Sequence, residues 1–299
     1  MRAWSPDASP IRSRTNKRAR PPEQATRRRR RHKAVSKHAS RMRAFGSEGR
    51  AMTFTDDDLE RYARHIVLRE IGGSGQKKLR AARVLCVGAG GLGSPALLYL
   101  AAAGVGALGI VDDDVVSLSN LQRQVLHATG RIGRTKTESA RAALTDVNPG
   151  VALETHETRV GPDNVDALVA RYDVVLDGSD NFDTRYLLNA ACARAETPLI
   201  AAAIGQWEGQ LSVYRPPVGP CFACVFPERP AAGLAPSCAE AGVLGALAGV
   251  MGSLQAAEAV KLIVGAGETL TGRLLLYDAL WAEFRVIDVK RRPDCPVCG

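Results

Sequence analysis

The chain reads as an α/β protein with a doubly wound, mostly parallel sheet, extended by antiparallel strands and closed by a four-cysteine zinc site. Three observations predict this. Short apolar runs alternate with helix-period segments between residues 83 and 203, the pattern of parallel strands covered on both faces. Beyond residue 203 the period drops to two, as in Glu208–Tyr214, which suits antiparallel strands with one wet face. Two Cys-x-x-Cys turns, Cys221-Phe-Ala-Cys224 and Cys295-Pro-Val-Cys298, can bring four thiolates to one ion. One such turn would equally suit redox chemistry, whereas two complete a tetrahedral zinc site. A site of that kind has no open position, so its metal is structural and the chemistry lies elsewhere.

Each element follows in order. Thr55-Asp-Asp-Asp58 caps a helix that runs to Arg69 and ends at Gly72-Gly73. A short helix from Ser74 leads into the strand Arg83–Val87. Residues 92–103 are helical, Ala107–Val111 is a strand, and Lys136–Val147 is a helix stopped by Asn148-Pro149-Gly150. Strands over 151–157, 173–176 and 198–203 alternate with helices over 162–170 and Phe182–Ala195. A polar stretch at 227–240 precedes a long apolar helix over 242–265, then strands over 272–277 and 282–289. The two longest apolar runs are not membrane spans: Gly104 and Gly106 break the first, and the second carries Gln255, Glu258 and Lys261.

Composition divides the chain in two. Residues 1–51 hold 16 Lys+Arg against 3 Asp+Glu, which leaves 24 against 28 for residues 52–299. The basic segment, with Arg27 to Arg31 in one run and few large apolar residues, is expected to be disordered. It reads as a nucleic-acid or targeting arm, or as a stretch upstream of a true start at Met52. The second reading is preferred because nothing downstream needs the arm. Residues 52–299 form one mildly acidic domain, which makes nucleic acid an unlikely partner, and no apolar run calls for a membrane. Seven cysteines, four of them in knuckles, fit a reducing cytoplasm.

The nucleotide end is written in glycines. Gly88-Ala-Gly90-Gly91-Leu-Gly93 follows a strand and opens a helix, so backbone N–H groups and the helix N-terminus meet a phosphate. Asp112 ends the next strand, about 20 residues on, where a carboxylate accepts ribose hydroxyls. This is a Rossmann-like fingerprint, and alone it would suggest an NAD(P)-linked oxidoreductase. Around it, however, stand Ser119-Asn120-Leu-Gln-Arg123-Gln124, Lys136 at a helix start, and Asp177-Gly-Ser-Asp180-Asn181 at the carboxyl end of another parallel strand. Arginine, lysine and a metal-binding carboxylate suit a triphosphate better than a nicotinamide.

In these stretches, and in Arg61-Tyr-Ala-Arg64, the chain resembles the MoeB/ThiF family, relatives of the catalytic half of ubiquitin-activating enzymes. The resemblance covers roughly residues 53–299. It implies ATP-dependent adenylation of the C-terminal glycine of a small ubiquitin-fold sulfur carrier ending in Gly-Gly, MoaD- or ThiS-like, in molybdenum-cofactor or thiamine biosynthesis. It further implies a nucleotide held by Gly88, Gly90, Gly91 and Gly93, with Asp112 on the ribose. Ser119, Asn120, Arg123, Lys136 and Asn181 then contact the nucleotide, with Asp180 on Mg²⁺ and Arg64 reaching into the partner of a homodimer. Without the resemblance, Arg64 is an exposed helix charge and Lys136 the start of a solvated helix. Cys238 stands either as a covalent acceptor for the carrier or as an inert loop residue. Cys86 and Cys192 fall in apolar patterns and read as core. His65 and His127 receive no role. The rivals are an oxidoreductase and a zinc-stapled nucleic-acid-binding protein that uses its basic arm.

Overall fold

A computed structural model describes residues 53–229 and 241–299. The expected basic extension and Cys238 lie outside the described residues. Five parallel strands make the first half of one sheet. β1 (Arg83–Val87) lies at its centre between β2 (Ala107–Val111) and β4 (Val174–Asp177), with β3 (Ala152–His156) outside β2 and β5 (Leu199–Gly205) outside β4. Consecutive residues of β1 serve opposite cores: Val84 and Cys86 join one cluster, Leu85 and Val87 the other. Both faces of β1, β2 and β4 are covered, which is why these strands carry so little polarity. On the first face lie α2 (Gly72–Ala81), α3 (Gly93–Ala102) and α4 (Lys136–Val147), contributing Leu79, Leu97 and Leu144; on the second, α5 (Val165–Val169) and α6 (Phe182–Ala195) contribute Val165 and Leu188.

The second half is antiparallel, as the change of period predicts. β6 (Glu208–Tyr214) pairs with β5, then with β7 (Arg273–Asp278), which pairs with β8 (Glu283–Asp288). Between β6 and β7 run a one-turn helix, α7 (Phe222–Val225), and the long α8 (Gly245–Val264). Among the described residues α8 is the one helix long and apolar enough to cross a membrane. It is instead laid against the core, contributing Leu247, Met251 and Ile263 to the first cluster. It approaches the start of α3 so closely that a Cβ on Gly252 would sit 2.2 Å from the Leu92 carbonyl oxygen. Its polar side chains are spent inward: Gln255 Nε2 donates to the carbonyls of Asp177 and Ile200 at 2.8 and 3.0 Å, and Glu258 Oε2 accepts from Leu270 N at 2.7 Å.

Three local outcomes differ from expectation. α1 (Asp56–Ile66) forms the predicted capping box between Thr55 and Asp58 but stops at Ile66, and Gly72, at φ +57°, opens α2 rather than closing α1. The helix expected over 162–170 contracts to α5. Asn164 ties the approach into a turn instead, accepting from Gly161 N and donating to Arg159 O, and local side-chain bonds of this kind compete with helix. The first cysteine knuckle contains α7 where a bare turn was expected.

Candidate nucleotide site and cysteine cluster

The glycine loop leaves the carboxyl end of β1 and needs its glycines for space. Gly88 sits at φ +92°, and a Cβ on it would lie 2.8 Å from Gly178 O; one on Gly93 would lie 1.9 Å from Gly88 O. The loop therefore crosses the Asp177–Asn181 loop at backbone contact and delivers the chain straight into α3, whose N-terminus carries the positive end of the helix dipole. The Ala89 peptide is clamped on both sides. Its N–H donates to Asp112 Oδ2 at 2.8 Å, and its carbonyl accepts from His127 Nε2 at 2.9 Å. Because Nε2 carries that proton, Nδ1 of the neutral ring accepts from the Ser139 hydroxyl at 2.8 Å. Burial holds the His127 pKa below its ordinary value.

Asp112 is the hub of this end. Its other oxygen accepts from Asp114 N at 2.9 Å, and Lys136 Nζ lies 3.8 Å away while bonding Asp114 at 2.8 Å. Burial raises the Asp112 pKa, and Lys136 together with the two backbone donors pulls against it. Lys136, itself buried, is fixed at its backbone too, donating to Asp114 O at 2.9 Å.

The second loop rests on a buried ion pair. Asp177, fully buried, meets Arg185 Nε at 2.8 Å and accepts both N–H and hydroxyl of Ser179. Arg185 spans the gap to the carbonyls of Ser179 and Ala202. The loop so braced presents Asn181, which caps α6 through Thr184 N at 2.9 Å, and Asp180, which is exposed and makes no hydrogen bond or ion pair among the described residues. A free carboxylate of that kind is the donor type a magnesium ion takes.

Between the two loops lies a cavity of about 690 Å³, lined by Gly88, Gly90, Gly91, Asp112, Arg123, Lys136, Asp180 and Asn181. Three predicted residues are not part of that lining. Gly93 is packed under Gly88, while the carbonyls of Ser119 and Asn120 hold the Arg123 guanidinium and the Arg123 and Gln124 backbone respectively. Arg64 is elsewhere, exposed on α1, and pairs with nothing among the described residues. Sequence reasoning missed the brace of Arg185 and the clamp of His127. Arg185 stood unremarked inside α6, and His127 carried no local pattern because its partners are distant in the chain.

The four cysteines converge. Their sulfurs lie within 4.8 Å of one another, with Cys221–Cys224, Cys221–Cys295 and Cys224–Cys298 at 3.8, 3.6 and 3.5 Å. Sulfurs about 2.3 Å from a tetrahedral zinc stand roughly 3.8 Å apart, so the set fits that ion. Burial raises the Cys221 and Cys224 thiols. At Cys295 burial is outweighed by the backbone N–H groups of Val297 and Cys298 and the neighbouring thiols, which bring it to about 7. Cys86 and Cys192 are buried core residues, and burial pushes Cys86 up to about 12, far from reactivity.

Residues 62–297 match the ThiF family. The chain belongs to that family. Members similar to it include the SAMP-activating enzyme E1 of Haloferax volcanii, 53% identical over 81% of this chain and 89% of its own length. The sulfur carrier protein adenylyltransferase of Thermus thermophilus is 49% identical over 83% and 93%. The probable adenylyltransferase/sulfurtransferase MoeZ of Mycobacterium tuberculosis is longer: at 48% identity the match spans 82% of this chain and 64% of MoeZ. Among solved structures, E. coli MccB with MccA-N7isoASN superposes with a TM-score of 0.70 over 83% of each chain at 23% identity, a likeness of fold. The ThiF-family match takes in the glycine loop, the Asp177–Asn181 loop and three of the four cysteines.

Proposed function

We propose that this ThiF-family chain is an adenylyltransferase that uses ATP to adenylate the C-terminal glycine of a small ubiquitin-fold sulfur carrier ending in Gly-Gly, in molybdenum-cofactor or thiamine biosynthesis. The observation that carries the reading is the gathering of the glycine loop, Arg123, Lys136 and the unpaired Asp180 carboxylate around one cavity, in a chain whose near-full-length relatives are named as carrier-activating enzymes. The carrier's carboxylate attacks the α-phosphorus, the bond to the β-phosphate oxygen breaks, and pyrophosphate leaves. Since that carboxylate is already ionised at neutral pH, the site must neutralise charge rather than supply a strong base. Arg123 and Lys136 hold fixed positive charge against the phosphates, and the glycine loop with the α3 N-terminus adds backbone donors. Asp180 would hold Mg²⁺, which when bound would supply positive charge to the phosphates. The four cysteines would hold a structural zinc, and free thiols of this kind suit a reducing, cytoplasmic setting.

The carrier's tail has a route in. A groove of about 350 Å³ runs over β6, β7 and β8, lined by Glu208, Gln210, Leu276 and Arg285, and it shares Ala203 and Ile204 with the nucleotide cavity. An extended Gly-Gly tail would lie along it as an added strand-like segment. Trp281 and Phe284, exposed at 73% and 55% beside the groove, offer the apolar surface a folded partner would cover. In the homodimer that the family resemblance implies, Arg64, exposed on α1, would serve the partner's site. An oxidoreductase reading is favoured by neither the inventory of charges nor the relatives. The test is ATP–pyrophosphate exchange with a Gly-Gly carrier. Arg123→Ala and Asp180→Ala are each expected to lower exchange by about 10²–10³-fold with unchanged circular dichroism; near-normal exchange in either would sink its role.

A further inference from the structure

Gln124 is a buried side chain without a structural task. It follows Arg123 in the loop before α4 and is only 4% exposed. Its Oε1 has no hydrogen-bond partner, and no described group pairs with its Nε2. Buried amides are hydrogen-bonded as a rule, and one left open in a native protein calls for an explanation. Two consecutive side chains cover two consecutive glycines here. A Cβ on Gly91 would meet Arg123 Cγ at 3.5 Å, and one on Gly90 would meet Gln124 Nε2 at 3.6 Å. Gln124 thus brings an amide donor to the cavity wall beside the glycine loop.

What it donates to follows from its neighbours. The loop lies at the positive end of α3 and beside the Arg123 side chain, so the group it receives is an anion. Ala89 N is bonded to Asp112, which puts the loop next to the ribose end of the site. The phosphate nearest the ribose is the α-phosphate. We propose that Gln124 is a catalytic residue: its Nε2 donates to a nonbridging oxygen of the α-phosphate as the carrier's carboxylate attacks. A neutral amide suits that place, for it steadies the negative charge on the nonbridging oxygens without adding a second carboxylate to compete with Asp180 for the metal. The assignment rests on the adenylylation reading above and adds a residue to it.

The experiment compares the full-length chain with Gln124→Met, which keeps length and burial but has no donor, and Gln124→Glu, which puts a carboxylate against the phosphate. Pyrophosphate exchange is measured with a Gly-Gly carrier, with ATP binding by calorimetry and thermal unfolding alongside. Gln124→Met is expected to lose about 10²-fold in kcat with little change in KM for ATP, and Gln124→Glu to lose more. The Met variant should melt at or above the wild-type temperature, because it removes an unpaired buried polar group. Variants that exchange within about twofold of wild type overturn the assignment alone. So does a Met variant whose lost activity tracks a fall in melting temperature, which would make Gln124 structural. A wild-type chain that neither binds ATP nor exchanges pyrophosphate overturns the adenylylation reading, and this residue's role falls with it.

Discussion

The two ends of the sheet hold their side chains in place by different means. At the parallel end, β1 and β4 are buried on both faces, and the loops leaving them are fixed by a buried ion pair, a clamped peptide and glycines at backbone contact. At the antiparallel end, all six residues of β8 are exposed, and the hairpin is held by its ladder to β7 and by the Tyr277–Phe284 stack at 4.1 Å. The first end gains precision from its own core. In the second, β8 adds nothing to the core, and the residues after it return to α7 through Cys295 and Cys298, which lie against Cys221 and Cys224. The lesson is a division of labour, with packing at the loops that aim charge and, at the exposed end, four clustered cysteines that would act as a crosslink once they hold the proposed zinc. The two ends also touch. Phe222, beside Cys221, packs edge-on against Tyr186 and Tyr214 and lies 5.8 Å from the Arg185 guanidinium, so the cysteine cluster leans on the same arginine that braces the Asp180 loop.

The largest effect should come from taking the crosslink away. Purified protein is expected to carry zinc, and stripping it with a chelator, or Cys295→Ser, should release much of the fold energy at that end, since structural zinc contributes on the order of 10 kcal/mol to small sites. Hydrogen exchange would then accelerate in β7 and β8 while β1 and β4 keep their protection. Uniform loss of protection along the whole sheet would erase the distinction between the ends, and protein that binds no zinc at all would refute the crosslink.

Next in size is the ion pair at the other end. Arg185→Met leaves Asp177 buried, charged and without its partner, a change that costs about 3–5 kcal/mol in such settings. Urea unfolding should register that loss. Asp177→Asn with Arg185→Met together should cost less than the sum of the two single changes, since each alone strands the other. Additive losses would mean that the pair is not the brace described above.

Much of this was legible beforehand, and the exceptions have physical causes. The alternation of strand and helix, the glycine loop and the four cysteines are each written within a few residues of sequence, so spacing alone reveals them. Arg185 is different. Within α6 it resembles any helix arginine, and only the fold brings Asp177, Ser179 and Ala202 around it. Gln255 and Glu258 did stand out as polar positions in an apolar run, yet the run could say only that the helix avoids a membrane, whereas their partners lie on β4, β5 and the turn before β7. α5 was overestimated because Asn164 prefers its local turn to the helix. Gln124 falls within a recognisable motif, but an unpaired amide becomes visible only when burial and bonding are both in hand.

The smallest expected effect tests the parallel end through His127. Its ring is buried, donates to Ala89 O, and stands near Lys136 and Arg131, which disfavour a second proton, and Asp112, which favours one; burial is the largest influence, and the folded pKa falls below the ordinary 6.5. The sign follows from linkage. Below pH 6.5 the unfolded chain binds a proton at this histidine that the folded chain resists, so the unfolded state gains as pH drops. The stability tied to the neutral ring is therefore complete above pH 6.5 and is lost on acidification toward the folded pKa. His127→Gln keeps a donor near the same place and does not titrate. Melting temperatures of the two proteins between pH 8 and pH 5 should run parallel above pH 6.5 and converge below it, the wild type losing at most about 1.4 kcal/mol per pH unit relative to the variant. His156, whose pKa burial and Arg171 also lower, is present in both proteins and cancels. Curves that stay parallel down to pH 5 would mean that His127 takes its proton as readily folded as unfolded, and the parallel end would then be looser around Ala89 than its hydrogen bonds imply.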